Sequence, residues 1–505
     1  MSPLPDWLGP LLDAPQQRAL DEWAIGERRI PGIELMERAG TGLADLVGRR
    51  APTGPIAVVC GKGNNGGDGL VTARLLRERG RDVDVLLLAD AEELRGDARR
   101  NFERLPGPPP RRFAAGAVSD TGAIVDAILG TGFAGEPREP ALTAINAAAG
   151  RAEVVACDVP SGVDGSTGEA AGAAVRAHAT ATFHAAKPGL WIAPGKALAG
   201  EVTVIEIGIP TGGPVEPKLG LIELQVTDGV PRRGAESNKF AAGSVLVCGG
   251  SKGLTGAPCL ASESAMRAGA GYVTTFVPSS LNLIFETRLL EVMTVPLADE
   301  VGSLAPDDIE LVLDRVGRAG ALVLGPGLGR APGAAQLARA LARAAELPLL
   351  LDADGLDAHA GELGSLRERT APTVLTPHAG ELGRLLGSDS AAVQARRLRS
   401  ARDAASRARA VVVLKGDDTI VAHPDGHVGV SRGNAPALAS AGTGDVLSGV
   451  IGAYLAKRMD PFHAACAGVF VHACAGRLAA EGIGPEGVIA RDVIEALPRA
   501  LPARH

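Results

Sequence analysis

Two stretches of this chain set short, largely apolar runs against glycine-rich segments. Ile56-Ala57-Val58-Val59-Cys60 leads into GKGNNGGDG, then into 70–79 with helical periodicity, then into a second apolar run at 83–88. The order recurs at 243–247, followed by GGSKGLTGA and a helical stretch at 257–268. A strand that is apolar at every position must be covered on both faces. This rhythm therefore predicts βαβ units and parallel sheets sandwiched by helices.

Further strands are predicted at 123–129, 153–157, 180–184 and 201–207 in the first half. The second half adds 272–277, 321–324, 348–351, 373–375 and 411–414, and a hairpin of 419–423 with 427–431 turning on Pro424-Asp425-Gly426. Helices are predicted at 334–345 and 445–456. Gly and Pro cluster at 210–217, where the apolar rhythm stops, so the chain divides within 210–231. The expected fold class is α/β in two domains, 1–215 and 225–505, which suits a length of 505 residues.

Composition narrows the function. Lys and Arg number 51 against 58 Asp and Glu, a net charge of -7, which argues against a basic coat for nucleic acid. Aromatics are 3%, too few for base-stacking platforms. The six cysteines have no paired spacing, and Cys60, Cys157 and Cys248 fall in or at the end of apolar runs, so buried reduced thiols are expected. His463, Cys466, His472 and Cys474 share an Ala-rich helical stretch with irregular spacing, and read as helix surface or core rather than as zinc ligands. The start of the chain carries no signal-peptide pattern, and the apolar stretch 464–480 is too short to span a bilayer. A cytoplasmic protein without membrane or nucleic-acid partners is expected.

GKGNNGGDG stands between a strand and a helix. Glycines admit a ligand to backbone N–H groups, and a helix start favours phosphate. The segment is neither a dinucleotide fingerprint in register nor a P-loop, since no Lys-Ser/Thr closes it. Asp126, in IVDAILGTGF, and Asp158, in VVACDVPSGVDG, both fall at strand ends, where an open parallel sheet forms its ligand crevice. With Asn65 and Ser161 they offer hard oxygen donors that suit K⁺ or Mg²⁺ rather than zinc. A carboxylate in such a crevice can also serve as general acid or base.

GNNGGDG, DAILGTGF and DVPSGVD, in this order, resemble the N-terminal epimerase domain of the bacterial bifunctional NAD(P)H-hydrate repair enzymes. The resemblance implies a Rossmann-like, three-layer domain that interconverts the R and S forms of hydrated NAD(P)H, NAD(P)HX. It implies that Asn64, Asn65, Gly66, Gly67 and Asp68 contact the hydrate, with Gly130, Thr131, Gly132, Phe133, Ala134, Gly135 and Glu136. It also implies that Asn65, Asp126 and Ser161 hold K⁺, and that Asp158 touches the substrate as the acid/base candidate. Lys187, in FHAAKPG, ends another strand and receives no role.

In the second half, Ala441-Gly442-Thr443-Gly444 leads straight into an apolar helix. The unpaired amides of such a helix start form an anion hole, with Asp445 at its mouth. A carboxylate there can orient or deprotonate a hydroxyl that attacks phosphorus, while the amides stabilise the developing charge. VVVLKGDDTIV places Lys415 and Gly416 at a strand end, and GPGLG and TPHAGE also follow apolar strands.

The Gly-Thr-Gly-Asp anion hole resembles that of the ribokinase-like superfamily. Within it, GGSKGLTGAPCLASESAMRAGAGYV, GPGLG, TPHAGE, KGDDT and AGTGDVLSG resemble the NAD(P)H-hydrate dehydratases. The resemblance implies that ADP phosphorylates the ring hydroxyl of the S hydrate, after which phosphate is eliminated and NAD(P)H returns. Lys415, Gly416, Asp417, Asp418, Thr419 and Gly444 would then bind the adenine nucleotide. Ala257, Gly327, His378 and Asp445 would face the hydrate, with Asp445 as base. Mg²⁺ is expected with the ADP, and a homo-oligomer is expected. One departure is visible: Ala379 stands where the family usually has Pro. Two rival readings are a ribokinase-like kinase of a vitamin precursor with an attached nucleotide-binding domain, and a non-catalytic nucleotide sensor. The first constellation argues against the kinase.

Overall fold

The computed structural model describes residues 3–118, 121–150, 153–234, 238–239 and 242–501. The chain forms two compact units, one of Pro10–Gly220 and one of Pro5–Gly9 together with the chain from Leu221 onward. Residues 5–9, expected with the first domain, thus belong to the second unit. Trp7 stacks on His463 with ring centroids 4.7 Å apart and leans on Phe462 at 5.7 Å. Its carbonyl accepts the Glu223 N–H at 3.1 Å.

The first unit is built on a seven-stranded parallel sheet. In spatial order the strands are Arg111–Arg112, Val83–Leu87, Ile56–Cys60, Ala123–Ala127, Val154–Cys157, Ala179–Phe183 and Glu201–Ile205. Every residue of the four strands from Ile56–Cys60 to Ala179–Phe183 is buried, as continuous apolar runs require. The strand order reverses between Ile56–Cys60 and Ala123–Ala127. That reversal opens a crevice at the carboxyl ends of the strands.

The helix after Ile56–Cys60 starts earlier than its periodicity predicts. It spans Asn64–Glu78, so NNGGDG is its opening rather than a loop. Glycine in a helix costs about 1 kcal/mol relative to alanine, and close packing explains its use here. A Cβ on Gly66 would run into the Gly61 carbonyl, and one on Gly69 would meet the Ala127 side chain at 2.6 Å and Cys60 Sγ at 3.0 Å. Two helices that the apolar rhythm does not predict, Ala14–Gly26 and Gly32–Arg50, precede the sheet. The first opens on a capping box in which Asp13 accepts the Gln16 N–H.

The second unit carries an eleven-stranded sheet. Met293–Leu297, Tyr272–Pro278, Ser244–Cys248, Ala321–Leu324, Leu349–Leu351, Thr373–Leu375 and Val411–Leu414 run parallel. Ile420–Ala422 pairs antiparallel with Val411–Leu414, and Val428–Val430 antiparallel with Ile420–Ala422, forming the predicted hairpin. Leu219–Ile222 and Leu8–Pro10 complete that edge. Helix Pro461–Ile483 is longer than the predicted apolar stretch, and at 23 residues it is long and apolar enough to cross a membrane. Its apolar window is 67% buried within the protein, against Thr443–Ala456 and Ala490–Ala500, so it packs as a core helix. Its polar side chains face different neighbours: His463 Nε2 meets the Val226 carbonyl at 2.8 Å, and Cys474 accepts from Arg477 at 3.1 Å. All six cysteines are free thiols, and all but Cys474 are buried.

Candidate active sites

A cavity of about 830 Å³ opens at the carboxyl ends of the first sheet. Asp158, one of its lining residues, follows Val154–Cys157 with φ +67°. For a residue with a side chain this left-handed conformation costs about 1–3 kcal/mol and clusters at functional sites. Lys187 Nζ lies 2.8 Å from Asp158 Oδ1 and donates to the Phe183 carbonyl at 2.7 Å. Thr182 Oγ1 donates to Oδ1 at 3.1 Å, and Thr131 donates to Oδ2 through its N–H at 3.3 Å and its hydroxyl. Burial pushes the Asp158 carboxyl up, but the Lys187 charge and the hydrogen bonds from Lys187 and Thr131 outweigh it. The group is held below its usual range.

Asp68 lines the same cavity. Burial, then the charges of Asp158 and Asp21, push its carboxyl well up. Two carboxyl groups driven apart in acidity within one cavity are what acid/base chemistry needs. Asn65 also lines the cavity, and its Nδ2 is buried without a partner. Asp126 and Ser161 are fully buried and are not among its lining residues. Ser161 donates to Asp126 through its N–H at 2.8 Å and its hydroxyl at 2.5 Å, and the Leu129 N–H donates to Ser161 Oγ at 2.9 Å. Burial pushes Asp126 up to about 6, and no ion pair to it exists among the described residues.

The cavity gathers Asn64, Asn65, Asp68, Gly130, Thr131, Gly132, Phe133 and Asp158 from the predicted set. Gly66 and Gly67 are buried in helix packing, and Ala134, Gly135 and Glu136 lie exposed outside the cavity. Sequence reasoning missed the Lys187–Asp158 pair, and it missed the wall supplied by Gln17, Arg18 and Asp21. The capping pattern at Asp13 and Gln16 was the available signal for that wall.

In the second unit, Gly442 stands before helix Thr443–Ala456 with φ +87°, a conformation that favours glycine, and Asp445 falls in the first turn. Lys415 Nζ lies 2.9 Å from Asp352 Oδ1 and 3.7 Å from Glu381 Oε2. A Cβ on Gly444 would sit 3.6 Å from the same ammonium, which therefore lies beside the helix start. Ser448 Oγ donates to the other Asp352 oxygen at 2.7 Å. Burial, then the Asp352 charge, raises Asp445 to about 7. Glu381 and Asp354 add to the shift and Lys415 opposes it. A carboxyl near 7 is matched to accepting a proton at neutral pH.

His378 caps helix Ala379–Leu386. Its Nδ1 accepts from Gly380 at 3.0 Å and Glu381 at 3.4 Å, and its own N–H donates to Glu381 at 2.8 Å. Ala379 takes the first helical position, where Pro would suit, and this capping box pins the turn without it. Gly327 adjoins Ala257, since a Cβ on it would lie 3.2 Å from the Ala257 Cβ. Thr419 Oγ1 donates to the Gly416 carbonyl at 2.6 Å, and Asp417 accepts the Asn434 N–H at 2.8 Å. Asp418 is buried and ion-paired to Arg397 at 2.9 Å, which ties it into the turn. Asp352, Glu381 and Arg397 went unassigned in the motif reading. A carboxylate directly after the run Leu349–Leu351 was the signal for Asp352.

A family profile described as YjeF-related protein N-terminus matches residues 32–189, and one described as Carb_kinase: NAD(P)H-hydrate dehydratase matches 245–499. The bifunctional NAD(P)H-hydrate repair enzyme Nnr of Moorella thermoacetica is 38% identical over 97% of this chain and 96% of its own length. That of Salinibacter ruber is 39% identical over 98% and 96%. The chain belongs to the bifunctional NAD(P)H-hydrate repair enzyme family. Membership in this family makes the chain an α/β enzyme whose two profile matches fall one in each compact unit. Among solved structures, a Bacillus subtilis ADP/ATP-dependent NAD(P)H-hydrate dehydratase co-crystallised with ATP/Mg²⁺ is 30% identical. It covers 55% of this chain and 94% of its own, with a TM-score of 0.46.

Proposed function

We propose that this member of the repair-enzyme family epimerises NAD(P)HX in its first unit and dehydrates the S form at the expense of ADP in its second. The observation that carries this reading is the likeness to the Moorella enzyme over 97% of the chain, which takes in both units.

In the first site, the ring nitrogen's lone pair expels hydroxide as a proton reaches it, leaving a flat iminium. Water then adds to the opposite face and gives up its proton. Asp158, oriented by Lys187 and Thr131, is the group poised to move that proton. Asn64, Asn65, Asp68, Gly130, Thr131, Gly132 and Phe133 surround the space the hydrate would fill. Asn65, Asp126 and Ser161 would hold K⁺. The support is a fully buried carboxylate with no cationic partner among the described residues, set among hard oxygen donors. The ion would supply fixed positive charge beside Asp126.

In the second site, Asp445 takes the ring hydroxyl's proton as the oxygen attacks the terminal phosphorus of ADP. An O–P bond forms and AMP leaves. The ring nitrogen then expels phosphate, a far better leaving group than hydroxide, and loss of a neighbouring ring proton restores the dihydropyridine. Lys415, Gly416, Thr419 and Gly444 would hold the nucleotide, and Ala257, Gly327 and His378 the hydrate. Mg²⁺ bound with the nucleotide would offset phosphate charge. It is commonly held by one or two carboxylates plus substrate phosphates, a role Asp352, Asp354 and Glu381 beside Asp445 suit. We place the activity in the cytoplasm, where six free thiols persist.

Incubation with mixed R and S hydrates of NADH and ADP tests the proposal. Complete return of the reduced-nicotinamide absorbance is expected. A stable phosphorylated product would instead mark a kinase.

A further inference from the structure

Helix Ala14–Gly26 lies outside the family match at 32–189, yet it walls the first cavity through Gln17, Arg18 and Asp21. Gln17 is 9% exposed. Its Nε2 donates to Asp21 Oδ1 at 3.0 Å, one helical turn along, while its Oε1 is buried with no partner. Leaving a buried polar atom unpaired is unfavourable, so this wall lacks a donor that an occupant could bring. Asp21 is half-buried, and its second oxygen accepts no hydrogen bond among the described residues. It lies within electrostatic reach of Lys187 and Asp158; burial above all pushes its carboxyl up.

We infer that Gln17 and Asp21 are positioning residues of the first site, accepting hydrogen bonds from the carboxamide NH₂ of the hydrated nicotinamide ring. The inference rests on the epimerase reading. Asp158 and Lys187 mark the reacting end of the substrate, so the group beside them is the ring rather than the adenine. Apart from the reacting hydroxyl, the donors on that ring are the two carboxamide N–H groups. Two acceptors on successive turns of one helix match them in number and sign.

The test compares hydrated NADH with the hydrate of a reduced dinucleotide carrying an acetyl group in place of the carboxamide, which has no N–H to give. Asp21→Asn and Gln17→Leu should each raise KM for hydrated NADH by roughly tenfold, the scale of one lost hydrogen bond. Their KM for the acetyl analogue should equal the wild-type value, and kcat should change little. Turnover of the acetyl analogue at the wild-type rate by the same preparations reports an intact first unit. Equal losses on both substrates, or none on either, overturn the inference while leaving the epimerase reading in place. A wild-type chain that fails to interconvert the hydrates overturns both.

Discussion

The Lys187 ammonium lies 2.8 Å from the Asp158 carboxylate in an ion pair whose lysine is 1% exposed. Removing one partner of such a pair strands a buried charge, at a cost of about 3–5 kcal/mol. Lys187→Met should therefore lower the melting temperature and slow epimerisation. It should also move the acidic limb of the epimerase pH profile upward, because the charge that holds Asp158 low is gone. The pair's stabilisation is present above the ordinary aspartate range and is lost as pH falls through the depressed value. An acidic limb that stays in place in Lys187→Met would show that Lys187 does not set the acidity of Asp158.

Asp445 titrates near 7, so dehydration should fall off as pH drops through that value and the base becomes protonated. Asp445→Asn should abolish ADP-dependent turnover while retaining nucleotide binding. Because the folded state raises this pKa, the carboxyl costs folding free energy progressively as pH rises from the ordinary aspartate value of 3.8 to about 7, and the loss is complete above that. The variant should consequently melt above wild type at pH 8, by about 2–4 °C for each kcal/mol of repulsion relieved. The gap should narrow as pH falls and close near the ordinary aspartate value of 3.8. Melting scans at both pH values, beside an equilibrium nucleotide titration, decide this.

Arg397 donates to Asp418 at 2.9 Å and to Gln394 at 3.0 Å, and its other nitrogen approaches the Lys415 carbonyl at 3.3 Å. It braces the turn that carries Lys415 to Thr419. Asp418→Asn keeps the shape and weakens the brace. The expected result is an ADP KM raised by roughly tenfold, the scale of a weakened charge-assisted hydrogen bond, with epimerisation unchanged. Steady-state titration of ADP at saturating hydrate checks it, and an unchanged KM would reject the bracing role.

Asp126 has no cationic side chain paired with it among the described residues, and its carboxyl sits near 6. Epimerisation should depend on K⁺ and weaken when the ion is exchanged for a larger organic cation. Asp126→Asn should be slow and insensitive to that exchange. If wild type proves indifferent to the cation, the ion site is refuted.

The central strands were legible because burial on both faces leaves only apolar residues. Ala321–Leu324, Thr373–Leu375 and Val411–Leu414 match their predicted bounds. Met293–Leu297 was not, since an edge strand tolerates exposed residues and Pro296. The glycines at 66, 67 and 69 read as a loop, and only the neighbouring Gly61 and Cys60 reveal why a helix would carry them. Asp158 and Asp126 announced themselves as carboxylates ending apolar runs. The partner of Asp158 did not, because Lys187 is brought to it by the pairing of Val154–Cys157 with Ala179–Phe183. Arg397 is likewise invisible without its three-dimensional neighbour, the buried Asp418.

Trp7 is made long before His463, the ring it stacks on. The amino-terminal strap must therefore stay unbound while everything between is synthesised. A gene cut at the boundary after Gly220 would yield a second half missing this strap, which must be grafted back for the fragment to be whole. Closure entropy grows only slowly with the length spanned, so the late docking of five residues is a matter of timing more than of free energy.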